Sequence, residues 1–107
     1  MQFIELKEEV KNIAAGEMRE DEENYLELVV LKGKIDDVCR KLEELLGPPA
    51  FPSENKLTPE IENIVNKYGG IFQGQTLYFS SQNNSTVFAM LWPWGSGMHV
   101  TVKLIHQ

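Results

Sequence analysis

Cysteine is nearly absent: Cys39 is the only one in 107 residues. One thiol cannot close an intrachain bridge, so a disulfide-stapled secreted domain is excluded. Clusters of positive charge are missing too. The chain has 10 Lys and Arg against 16 Asp and Glu, a formal charge of −6, and its cations mostly sit beside acidic neighbours. Phosphate backbones and anionic membranes are held by grouped cations that displace counterions. Neither nucleic acid nor membrane is therefore an expected partner. No apolar run approaches the ~20 residues that a spanning helix needs. Glu5, Lys7, Glu8 and Glu9 stand where a signal peptide would be unbroken and apolar. A cytoplasmic protein is expected, in which the Asn-Xaa-Ser/Thr matches at Asn83 and Asn84 carry no sugar.

Nucleotide and metal signatures are equally scarce. Lys32-Gly33-Lys34 precedes a helical pattern, but no Walker or G-x-G-x-x-G spacing surrounds it. Gly95-Ser96-Gly97 lies between two strand patterns and reads as a hairpin loop. Zinc spacings are absent. No cofactor and no metal are expected.

What is present suffices for one domain over residues 1–107, with 42% hydrophobic residues for a core. Phe3, Leu6, Val10 and Ile13 recur at helical spacing and predict a helix over 3–15, stopped by Gly16. The acidic run 17–24 has no periodicity and reads as a solvated loop. Tyr25–Leu31 reads as a strand, turned by Lys32-Gly33-Lys34 into a helix over 35–46. Asp36 and Asp37 would sit in its first turn, where the helix dipole favours anions. Asp36–Arg40, Arg40–Glu44 and Asp37–Lys41 are spaced for i,i+4 pairs. Residues 47–57 form a proline-rich connection that lies against the body through Phe51 and Leu57. Thr58 and Pro59 suit the N-cap and first position of a third helix, whose inner stripe is Ile61, Ile64, Val65 and Tyr68.

Three apolar runs close the chain: 75–79, 86–92 and 99–105. The outer two alternate, and the middle one is apolar almost throughout, as a strand buried on both faces would be. The class is α+β, in the order α-β-α-α-β-β-β. A mainly antiparallel four-stranded sheet contains the C-terminal three-strand meander. The helices pack on one face, and the first helix is the one free to cross to the other.

Alternation divides the side chains into two sets. Leu26, Leu28, Val30, Leu77, Phe79, Val100, Val102 and Leu104 are expected to face the helix-covered core. Tyr25, Glu27, Val29, Leu31, Thr76, Tyr78, Ser80, His99, Thr101, Lys103 and Ile105 then share the second face. The middle strand adds either Val87, Ala89 and Leu91 or Phe88, Met90 and Trp92. Apolar and aromatic groups with a few polar ones mark an interface or ligand surface. Trp92, Trp94 and Met98 stand nearby in a loop of the composition that partners touch. Were the first helix to cover this face instead, Trp92 would be core and Trp94 its lid. Aromatic sheet faces also stack single-stranded RNA, but the acidic balance opposes that use.

The functional expectation is a small non-catalytic interaction domain. It would form a homodimer or bind another protein through Tyr78, Trp92, Trp94, Met98 and His99. The alternative is a small enzyme or small-molecule binder with His99 as general base and Glu27 or Lys103 orienting substrate. His99 and His106 stand at an odd offset, on opposite faces of one strand, so they cannot share a metal or a proton. Cys39 is expected as a buried small hydrophobe, not a nucleophile.

Overall fold

The computed structural model describes residues 3–14, 17–53, 56–82 and 85–107. Along the chain run α1 (Phe3–Ala14), β1 (Glu17–Glu22), β2 (Tyr25–Leu31), α2 (Lys32–Leu46), α3 (Pro59–Asn66), β3 (Thr76–Gln82), β4 (Ser85–Pro93) and β5 (His99–His106). The strands form one antiparallel sheet in the order β1-β2-β5-β4-β3. The α+β class and the β3-β4-β5 meander agree with the sequence. The expected stop at Gly16 and the Asn83 and Asn84 matches lie outside the described residues.

The acidic run is a correction: residues 17–22 form a fifth strand, exposed at every position. Asp and Glu are poor strand formers, but this edge strand has no buried side-chain face to fill. A turn at Glu23 and Asn24 folds the run back so that Glu22 pairs with Tyr25, and the ladder slips between Met18 and Glu20. Charge and a bulge on an edge oppose strand-to-strand aggregation. At the other edge, Ala50 and Phe51 donate to the Leu77 carbonyl and Leu77 donates back to Phe51. The proline-rich connection thus lies against the body.

Helix α2 begins at Lys32, directly after Leu31, without the expected turn over 32–34. Asp36 and Asp37 are consequently past its first turn, and the pairs formed are Asp37–Arg40 and Lys41–Glu44 at i,i+3. Helix α3 begins as expected, with Thr58 Oγ1 accepting from the Ile61 N–H at 3.3 Å and Pro59 at the first position.

Two cores flank the sheet. Against the first face, α1 and α2 pack Phe3, Leu6, Val10, Val38, Leu42 and Leu46 over Leu26, Leu28, Val30, Val87, Ala89, Leu91, Val102 and Leu104. The second face joins Leu77, Phe88, Met90 and Ile105 to Val65, Ile61 and Ile64 of α3 and to Phe51 and Leu57. It is α3, not α1, that crosses to the second face.

The expected parity of β3 is also corrected. Leu77 and Phe79 belong to the second face, and Tyr78 to the first. Register enforces this: Leu77 pairs with Met90 and Tyr78 with Ala89. Because β4 is apolar on both sides, alternation within β3 cannot say which way its apolar side points.

Candidate functional site

Helix α3 and the connection before it cover the β3 and β4 half of the second face. The same core takes in Ile105 of β5 and Tyr25 of β2, so that among the described residues the face is left without a helix over β1 and over the Leu31–His99 end of β2 and β5. This less covered half is built from Tyr25, Glu27, Val29 and Leu31 of β2 opposite Ile105, Lys103, Thr101 and His99 of β5; Val29 and Ile105 are buried, Leu31 is exposed and the others are half-buried. Beside them stand Glu17, Glu20 and Glu22 of β1, paired with Val29, Glu27 and Tyr25.

One end of this half is apolar and aromatic. The Trp94 ring lies 4.7 Å from His99, centroid to centroid, and its Nε1 donates to Thr101 Oγ1 at 2.8 Å. The indole is thereby laid on the sheet, yet 38% exposed. Leu31 pairs with His99, and the Lys32 N–H donates to the Met98 carbonyl. Leu31 is 54% exposed and Met98 59%. Phe72, also exposed, lies at the same sheet end, in the turn that leads into Thr76 opposite Leu91.

The middle and far end are polar and aromatic. Lys103 Nζ sits 3.7 Å from the centroid of the Trp92 ring and donates to the Tyr68 carbonyl at 3.3 Å. Burial lowers the Lys103 pKa, against the opposing pull of Glu27 and Glu20. Tyr25 donates to Glu27 Oε1 at 2.6 Å and stacks on Tyr68 at 6.3 Å. Burial first, then that carboxylate, pushes the Tyr25 phenol upward. A cleft of about 680 Å³ opens here, with Glu20 and Glu22 on one wall and Lys67 and Tyr68 on the other.

Trp92, Trp94 and His99 lie on the second face of the sheet, with Trp92 packed under Gly69 and Trp94 outside it, and Met98 is exposed in the turn just before His99. Tyr78 is not with them. It is 3% exposed within the first-face core, against which Cys39 also packs. The Cys39 thiol is raised by burial and lies on α2, across the sheet from His99. His106 bonds Ser85 Oγ at 2.8 Å and packs on Phe3, apart from His99. Glu27 and Lys103 are strand partners, whereas His99 precedes Lys103 by four residues, roughly 13 Å along a strand.

The clefts at Tyr25–Tyr68, at Phe51–Ile71 and along α1–α2 are lined without His99. Among the described residues no group of three or more His, Cys, Asp or Glu side chains is placed to hold a metal, and no helix is long and apolar enough to cross a membrane. Sequence reasoning missed Glu20, Glu22 and Lys67 as wall residues. Their signal was the edge strand hidden in an acidic run. Compared with protein-family models, characterised proteins and solved structures, the chain finds no match.

Proposed function

We propose that this domain works by binding protein through the less covered half of its second face. The contact surface centres on Leu31, Trp94, Met98 and His99, with Glu27 and Lys103 beside it. One observation carries the reading: large apolar side chains remain exposed together at one sheet end, where no helix covers the second face. Such grouping is what interfaces leave on an isolated chain. A rigid indole, pinned by its own hydrogen bond, contributes contact area at little entropic cost. The setting we assign is the cytoplasm, on the strength of a lone, half-buried thiol.

Catalysis has weaker support. His99 is packed against Trp94, and the cleft that Lys103 lines is built without it. The test is the size of the complex in cell extract. Wild type should elute well above its 12.2 kDa, and a folded Leu31→Ser/Trp94→Ser variant should elute as a monomer. A wild-type chain that runs as a monomer both in extract and when pure contradicts the reading.

A further inference from the structure

The less covered half-face is a step. Helix α3 and Tyr68 after it stand as a ridge over β3, β4 and the Ile105 end of β5, and the sheet drops away toward β1 and the Leu31–His99 end. Its two walls differ in sign. On the β1 side, Glu20 and Glu22 have no ion-pair partner among the described residues, in contrast to Asp21, which is turned to the first face and holds both Lys7 and Lys11. On the α3 side stands Lys67, exposed at the helix end and likewise without an ion-pair partner among the described residues, with Lys103 below it.

We infer that the occupant of this half-face is a second copy of the chain, related by a two-fold axis running parallel to the strands between β2 and β5. This deepens the protein-binding reading and rests on it. A half-turn about that axis lays the two second faces together and exchanges left for right, while keeping equivalent strand ends in register. Three complementarities then arise from one operation. The α3 ridge of each copy enters the step of the other. Leu31 of one meets the Trp94 region of its partner, apolar on apolar, because these groups lie on either side of the axis. Lys67 of one comes over Glu20 and Glu22 of the other, because all three line one cleft. An isologous interface requires this kind of self-complementarity. Neither an axis across the strands nor a uniformly cationic partner satisfies both walls: the first sets the apolar end against the charged one, and the second is repelled by Lys67 and Lys103.

The narrow uncovered strip sets the strength. Three strands at about 4.8 Å spacing fall short of the area buried by tight dimers, even with the α3 flanks added. A concentration-dependent dimer follows.

Charge exchange tests the arrangement by sedimentation equilibrium of the purified chain. Glu20→Lys/Glu22→Lys and Lys67→Glu each place like charges across the axis twice, and each should weaken dimerisation by about tenfold. Mixing the two variants should restore it, since the mixed pair carries opposite charges at both contacts. The first variant also reduces the net negative charge, which alone would favour association; weakening therefore reports the local contact. All three positions are exposed, so the variants are expected to keep the wild-type melting curve. A purified wild type that is monomeric at every concentration overturns the second-copy proposal, and protein binding itself survives if the extract complex persists. Variants that dimerise like wild type, or a mixture no tighter than its components, overturn the two-fold geometry.

Discussion

Trp92 lies in β4 and Trp94 two residues on, just past its end, and what lies above each decides its role. Over Trp92 passes Gly69 at φ +109°, where an added Cβ would lie 2.4 Å from the indole ring. Any side chain there both strains the backbone and collides, so Gly69→Ala should destabilise the fold by about 2 kcal/mol in urea unfolding. Alanine at Gly95, where a Cβ meets nothing, is the control. Asp21 makes a second residue-scale prediction. Hydrogen bonds from Lys11 and then Lys7 hold its carboxyl below the ordinary value of 3.8. A depressed folded-state pKa contributes stability that is present above the unfolded value and lost as pH falls through the folded one. Wild type should therefore lose melting temperature more steeply below about pH 4 than Asp21→Asn.

At the scale of elements, how far the chain could be read depended on how many sides each element buries. The helices were legible because each has one apolar stripe, and α3 because Thr58 and Pro59 mark its start. Strands β2 and β5 were legible by alternation. β1 was not, since both of its faces are exposed and nothing in the run Glu17–Glu22 repeats. Strand β4, with Val87 to Leu91 buried in succession, gave no parity to pass on to β3. Tyr78 was therefore placed on the wrong face, while Trp94 and His99 were placed with the right neighbours. The two aromatic groups make opposite predictions. Tyr78→Ala opens a cavity in the first-face core; it should cost about 3 kcal/mol in chemical denaturation. Trp94→Ala removes an exposed ring and one hydrogen bond and should cost about 1 kcal/mol, its larger effect falling on association. Equal losses would mean that Trp94 belongs to the core.

For the whole molecule, the two faces of the sheet are unequally finished. The first is closed by two helices that bury Leu6, Val10, Val38 and Leu42 completely. The second is closed by one, mainly over two strands, and leaves a step with acidic and basic walls and an apolar end. Two cores explain why a chain of 107 residues can stand without an intrachain disulfide, and why its middle strand is apolar on both sides. They also separate stability from association: truncations at Phe88 should strongly destabilise the domain, whereas those at Leu31 should leave it folded and single. Phe88→Ala is expected to cost about 4 kcal/mol, a large share of what a domain this size possesses.

The most direct check is side-chain NMR on the purified chain over a wide concentration range. The account predicts that the Leu31 and Met98 methyl signals and the Trp94 indole signal move together with one dissociation constant. Ile4, equally exposed but on α1, should stay fixed. Signals that hold still at all concentrations and in extract, or a response at Ile4 in place of Leu31, would contradict it.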